Sequence, residues 1–267
     1  MNRRNFLSLA SLSPLLAKNL LASSDACVNP ITGTPIYSHS LLIRRKELYI
    51  SSQDWDTFVS ARDRLRRIKK YVGYGNFNIL SFDTALFYAR NYPSIGAFTK
   101  DELALMDKLF YENPRKYGFY GQKTTHNITT KISKKDVVKI PHTGHFLFKG
   151  KPLEDYTRVK EDIGENIVLT SGIRSVVKQM SLYMDKIYKL NGNITKASYS
   201  IAPPAYTFHA LGDFDVGKKG FGYANFTTKF TTTQEFKELI KLDYIAMRYK
   251  PNNIYGVRYE PWHVEVI

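Results

Sequence analysis

The hydrophobic positions of this chain fall into two textures. From Ser52 onward they recur at helical spacing: Trp55, Phe58, Val59, Leu65, Ile68 and Val72 lie near one face, and Arg and Lys fill the other. This predicts an amphipathic helix that ends at Gly73 and Gly75, because glycine weakens a helix and favours chain reversal. A shorter helix is predicted over about residues 82–88, stopped by Pro93. A third is marked at its start by Thr99 and Glu102, which have the spacing of a capping box. Leu103, Met106, Leu109 and Phe110 form its apolar side, and Pro114 closes it. Residues 50–125 therefore read as a helical subdomain whose aromatic residues belong to its core.

From about residue 135 the predicted elements shorten. Strands are expected over residues 137–140 and 165–170. A helix over 176–190 places Val177, Met180, Tyr183 and Ile187 on one face and ends at Gly192. Another is expected over 232–242, followed by strands over 244–249 and 255–266. Helices and strands are interspersed without a βαβ rhythm, and the last two strands are close in sequence. The fold class expected is α+β, with a small, mainly antiparallel sheet and flanking helices.

The first residues change the picture of where the protein acts. Arg3 and Arg4 lead into an apolar stretch over residues 6–21 that Pro14 and Lys18 interrupt. It is too short and too broken to span a bilayer, so no transmembrane span is expected in the mature chain. A basic start, an apolar run and small residues make the pattern of an export signal, here twin-arginine-like and covering residues 1–26. Cleavage is expected after Ala22 or Ala26. The second site would leave Cys27 first, which opens a lipoprotein alternative, although Ser24 stands where a lipobox has Leu. The chain then divides into residues 1–26, a mainly helical region over 27–130 and a chemical domain over 131–267. The expected location is the periplasm or cell envelope.

Composition narrows the chemistry. With 267 residues, 43% hydrophobic and 24% charged, the chain is neither a disordered tail nor a multi-span membrane protein. One cysteine excludes an intramolecular disulfide and a cysteine-based zinc ribbon. The net charge of +15 comes from basic residues scattered along the chain. No nucleic-acid recognition motif accompanies them, so the charge suits a polyanionic envelope or an acidic substrate and not nucleic acid. Any metal site must use the six histidines and carboxylates. His142 and His145 have chelating spacing but no nearby carboxylate. His39 and His126 read as surface residues, and Tyr206 and Trp262 as packing.

Three segments place polar residues where a small fold should be packing apolar ones: Ser171-Gly172-Ile173-Arg174-Ser175, the run from Thr207 to Val216, and Glu260-Pro261-Trp262-His263. His209, an aspartate and His263 would supply three ligands and leave a fourth place for water, as in a catalytic zinc site. Either Asp213 or Asp215 can provide the carboxylate. A metal there would lower the pKa of its water to about 7. A turn at Pro261 would bring Glu260 to that water as general base. Arg174, at a strand-to-helix corner, supplies a fixed cation for an oxyanion or a substrate carboxylate.

The series Ser171-Gly172-x-Arg174-Ser175, Gln179, Thr207-x-His209-x-x-Gly212 with an Asp shortly after, and Glu260-Pro261-Trp262-His263 resembles the D-alanyl-D-alanine carboxypeptidases. These belong to the LAS metallopeptidase group (lysostaphin, D-Ala-D-Ala peptidases, sonic hedgehog). The likeness covers roughly residues 135–267 and implies a LAS/hedgehog-like fold. It implies that His209, Asp215 and His263 bind Zn2+, that Glu260 is the general base, and that Arg174 stabilises the substrate or transition state. Ser171 and Gln179 match positions lining the substrate pocket. The family places its Asp seven residues after the His, where this chain has Val216. A one-residue deletion after Gly212 brings Asp215 into register, with Asp213 as the alternative. The activity implied is removal of the terminal D-Ala from peptidoglycan stem peptides. The alternatives are an endopeptidase on cross-links and a non-catalytic envelope-binding protein of the same fold.

Overall fold

The computed structural model describes residues 47–266. The expected export signal, Cys27 and His39 lie outside the described residues.

The helical region follows its apolar pattern. Helix α1 (Trp55–Val72) buries Phe58, Ala61, Leu65 and Ile68 and stops at Gly73, whose φ of 84° admits the reversal and whose N–H donates to the Lys69 carbonyl. Helix α2 (Tyr74–Phe77) is a single turn. Helix α3 (Phe82–Asn91) is capped by Ser81, which accepts from the Thr84 N–H. Helix α4 (Lys100–Tyr111) carries the expected capping box: the Thr99 hydroxyl accepts from the Glu102 N–H at 3.1 Å, and Glu102 accepts from the Thr99 N–H at 2.9 Å.

Beyond it, strands β1 (Val137–Lys139) and β2 (Phe146–Phe148) form an antiparallel hairpin. Helix α5 (Lys151–Ile163), strand β3 (Ile167–Ser171), helix α6 (Val176–Lys189) and the short helix α7 (Ile194–Ser198) follow. The chain ends with strand β4 (Phe214–Lys218), helix α8 (Gln234–Leu239) and strands β5 (Ala246–Met247) and β6 (His263–Glu265). The second sheet has the order β3-β4-β6-β5, antiparallel throughout. The α+β expectation, with small antiparallel sheets and a helical N-terminal region, is borne out.

Several elements differ from expectation. Helix α2, strand β2 and helix α7 were not expected, and the strands expected over 244–249 and 255–266 are reduced to β5 and β6. Asn252 and Gly256 sit at positive φ, and Pro261 occupies a turn, so the backbone before His263 coils. A Cβ on Gly256 would lie 2.1 Å from the Gly118 carbonyl oxygen, a close approach that only glycine permits. Helix α5 was not foreseen, because its apolar stripe is thin and charged residues fill the rest of its sequence.

Two apolar clusters hold the fold. The larger joins α1 to α4 with the inner face of α6, through Phe58, Leu65, Met106 and Phe110 against Met180, Tyr183 and Ile187. The smaller lies under the second sheet and includes Val159, Ile167, Phe214, Val216, Leu239 and Val264. Each buried side chain of this size contributes about 1.5–3 kcal/mol. Helix α6 is therefore anchored in the helical layer while its first residues border the sheet.

Candidate active site and metal centre

The sheet register assembles the centre. Leu169 pairs with Val216, but Ser171 pairs with Asp215, so Thr170 is an extra residue in β3. Asp215 in turn pairs with His263. Ser171, Asp215 and His263 thus form one row across three strands, and side chains in such a row share a face. His209 enters from a single 3-10 turn (Phe208–Ala210) just ahead of β4. Gly212, at φ 134°, redirects the chain between them.

Gly172 explains the glycine of the Ser-Gly-x-Arg segment. A Cβ there would lie 2.1 Å from the Phe146 carbonyl oxygen. That approach lets the Ile173 N–H donate to Phe146, while the Gly172 carbonyl stands 2.9 Å from Nδ1 of His209.

Hydrogen bonding fixes both imidazoles. A carbonyl only accepts, so Nδ1 of His209 carries the proton and Nε2 presents its lone pair. Nε2 lies 3.3 Å from Oδ2 of Asp215. Nε2 of His263 lies 2.9 Å from the Asp213 carboxylate, so that nitrogen is the donor and Nδ1 presents the lone pair. Nδ1 lies 3.1 Å from Oδ1 of Asp215, an oxygen with no hydrogen-bond partner among the described residues. With His263 in its neutral form, two lone pairs and a carboxylate therefore converge with no hydrogen between them. Their ligand atoms all lie within 4.8 Å of one another, in residues that are each 2% exposed. Acceptors crowded together away from water need a cation, and this donor set suits a divalent metal.

Asp213 has a different place. Its carboxylate accepts from Arg248, from the Val266 N–H at 3.1 Å and from His263. The two aspartates bracket the His263 ring, Asp215 on the open nitrogen and Asp213 on the other. This is the arrangement in which an outer carboxylate sets the tautomer of a ligand histidine.

Electrostatics agree with the geometry. Burial and the nearby Arg174 hold His209 down to about 4, so it is neutral at neutral pH. Burial opposes charge on His263, but the Asp213 hydrogen bond and the two aspartate charges outweigh it and push that ring up to about 9. Without a cation, His263 takes up a proton instead. Burial also opposes charge on Asp215, yet His209 and Arg174 hold it well below the usual carboxylate range.

The centre opens on a cleft of about 440 Å³. Ser171, Arg174, Glu260, Trp262, Tyr249 and His145 line it together with the three candidate ligands. Arg174 donates from Nε to Ser171 at 2.9 Å and from Nη2 to Asp215 at 2.6 Å, which fixes its guanidinium at the rim of the centre. The turn expected at Pro261 is present, with the His263 N–H donating to the Glu260 carbonyl at 3.1 Å. The Glu260 carboxyl lies on the cleft wall, 3.5 Å from Arg258, and burial pushes it up to about 7.

Gln179 is the exception among the expected residues. It is fully buried, does not line the cleft and donates from Nε2 to the Ala202 carbonyl at 2.6 Å. One position along α6 turns its side chain by about 100° from that of Lys178, which does line the cleft. Gln179 therefore supports the wall from behind, through Ala202. Three residues were not foreseen in their roles: Arg248 behind Asp213, Tyr249 with its ring 4.7 Å from that of His263, and His145 on the cleft wall. Arg248 is 35 positions from Asp213 in sequence and carries no motif. His145 was distinguishable only by the β1–β2 turn that brings it over the centre.

The family model of VanY, a D-alanyl-D-alanine carboxypeptidase, matches residues 151–267. The match spans less than half of the chain. The resemblance read from the motifs is borne out, and the matched stretch contains Ser171, Arg174, His209, Asp215, Glu260 and His263. It begins at α5, so the helical layer precedes it.

Among solved structures, the chain is similar to a mutant of the vancomycin-resistance D,D-pentapeptidase VanY from the VanB-type cassette in complex with Zn(II). The identity is 22% over 49% of this chain and 77% of that one, with a TM-score of 0.37. It is also similar to VanYB in complex with D-alanine-D-alanine, at 22% identity over 49% of this chain and 76% of that one, TM-score 0.37. A third is the D,D-dipeptidase VanXYg with a D-Ala-D-Ala phosphinate analogue, at 21% over 56% and 61%, TM-score 0.46. No curated protein matches the chain.

Proposed function

We propose that this protein is an exported zinc D-alanyl-D-alanine carboxypeptidase that removes the terminal D-Ala from peptidoglycan stem peptides. The observation that carries the reading is the convergence of His209 Nε2, His263 Nδ1 and the Asp215 carboxylate within 4.8 Å of one another, beside Glu260 and Arg174 in one cleft.

When bound to these three residues, zinc supplies a Lewis acid for the scissile carbonyl and lowers the pKa of water. The protein's own groups do the rest. Glu260 takes a proton from the attacking water at its carboxylate and passes it to the leaving amine, without a covalent intermediate. Its buried position favours the neutral form, which makes the carboxylate a readier acceptor of the water's proton than an exposed one. Arg174, held by Ser171, offers donors to the developing oxyanion or to the substrate carboxylate. Asp213 keeps His263 in the ligating tautomer, and the Gly172 carbonyl does so for His209. Residues 1–26 direct export to the periplasm or cell envelope, and residues 131–267 are the peptidase unit.

Mass spectrometry of a pentapeptide muropeptide incubated with the protein tests this. Loss of one D-Ala, abolished by a chelator and restored by zinc, is expected. An unchanged pentapeptide, or cleavage of cross-links with stem termini left intact, would contradict it.

A further inference from the structure

The β1–β2 hairpin lies ahead of the stretch that the family model matches, yet it brings His145 into the cleft. Its loop is residues 141–144, closed by the Ile140 N–H donating to the His145 carbonyl at 2.9 Å. His142 and Gly144 both sit in the left-handed region, at φ 60° and 73°. Few residues with a side chain adopt that region, and a loop that does is held in place by its surroundings. Within the loop, the Thr143 hydroxyl donates to the Ile140 carbonyl at 2.9 Å and accepts from the His145 N–H at 3.1 Å. From the helical layer, Nδ2 of Asn78 donates to the Gly144 carbonyl at 2.9 Å. Gly75 of α2 packs against the same carbonyl, where a Cβ would stand 3.3 Å away.

Asn78 is 2% exposed, and its Oδ1 has no hydrogen-bond partner among the described residues. Leaving a buried amide oxygen unpaired is unfavourable. The amide still faces the loop with its nitrogen, because a carbonyl such as that of Gly144 only accepts. The Asn78 backbone carbonyl in turn accepts from the Ser175 N–H at 2.8 Å, directly after Arg174. One residue of the helical layer thus holds both the loop before His145 and the corner after Arg174. Burial, with the Lys178 and Arg174 charges nearby, holds the His145 ring down to about 4, so it is neutral at neutral pH. A neutral imidazole offers one donor and one acceptor, the complement of a peptide group, whereas Arg174 and Lys178 only donate. The ring forms no hydrogen bond among the described residues, and His145 lines the cleft with Ser171, Arg174 and the three candidate ligands.

We propose that His145 is a substrate-binding residue that hydrogen-bonds a backbone peptide group of the bound peptide, and that Asn78 is the positioning residue that holds it in the cleft. The helical layer then completes a site whose three candidate metal ligands all come from the matched stretch. The peptide named as substrate follows the carboxypeptidase reading, and the clamp of Asn78 on the loop does not depend on it.

A double-mutant cycle in steady-state hydrolysis of the pentapeptide muropeptide tests this. Asn78→Ala removes the bond to Gly144 and leaves the backbone bond to Ser175 in place. Asn78→Ala and His145→Ala should each raise KM by about tenfold with kcat nearly unchanged, as for a contact made equally in the ground and transition states. The double variant should be no worse than His145→Ala alone. Thr143→Val, which loosens the loop from its own side, should reproduce the Asn78→Ala effect and serves in its place should that variant not fold. Calorimetry of the same peptide with the Glu260→Gln protein should show binding weakened by the same factor in each variant. An unchanged KM in His145→Ala, or additive effects in the double variant, overturns the proposal. A binding cycle that runs as expected with no D-Ala release by the wild type supports the clamp and overturns the carboxypeptidase reading instead.

Discussion

Glu102 in the helical layer and Asp215 in the sheet are both buried, and each meets an arginine. Around Glu102 every contact is a donor: the Ser60 hydroxyl, the Thr99 N–H, and Nε and Nη2 of Arg64 at 3.0 and 3.1 Å. Burial opposes its charge, and these donors still hold it below the usual carboxylate range. Asp215 has one fixed donor, Arg174, and otherwise faces two imidazole nitrogens that are lone pairs when the rings are neutral. The desolvation problem is the same in both places, and the solutions differ. A closed set of donors makes Glu102 a structural residue that ties α1 to α4. An open set of acceptors makes Asp215 a residue that waits for a cation.

The largest expected effect in testing this contrast lies beside Asp215. Glu260→Gln should lower kcat by roughly 10²–10⁴-fold, the range for a general acid–base group, while the zinc content stays that of the wild type. Retained turnover would remove Glu260 from the proton transfers. In the wild type, kcat/KM should fall as pH drops and Glu260 takes up a proton. That acid limb should lie between the ordinary 4.5 and about 7, because burial raises the group and a bound dication pulls it back. A profile flat across that window would contradict the assignment.

Next comes the closed carboxylate. Glu102→Ala leaves Arg64 buried without its partner and should cost about 3 kcal/mol in denaturant unfolding. It should leave zinc stoichiometry unchanged, and loss of zinc in this variant would erase the distinction between the two carboxylates. The smallest effect is expected from Asp213→Asn, which keeps the shape but weakens the hold on His263. Zinc affinity should fall by about 10–100-fold, measured by competition with a chelator. An unchanged affinity would mean that the His263 tautomer needs no outer carboxylate.

The two regions also differed in how openly the sequence displayed them. Helix α1 and the capping box of α4 are local, set by apolar spacing and by two side chains three residues apart, so they were legible directly. The residues of the centre were legible as types in a motif, because imidazole and carboxylate rarely stand in runs that should be packing apolar groups. Their geometry was not. Asp213 and Asp215 stood as alternatives for one ligand, but β4 begins at Phe214, and the His263 ring separates the two carboxylates. That separation depends on register across three strands and on the bulge at Thr170, both tertiary facts. Gln179 was misplaced because a helical face is decided by one residue's rotation, and the sequence around it is apolar on one side and basic on the next. The long final strand failed because an apolar, aromatic run reads as extended, although Gly256 and Pro261 bend it.

The most direct measurement is calorimetric titration of zinc into the metal-free protein and into Asp215→Ala, each in buffers of different ionisation enthalpy. The wild type should bind one zinc per chain and release about one proton near pH 7.5, since His263 holds an extra proton until a metal displaces it. Asp215→Ala should show no stoichiometric binding. Undiminished zinc binding by that variant, or none by the wild type, would contradict the account.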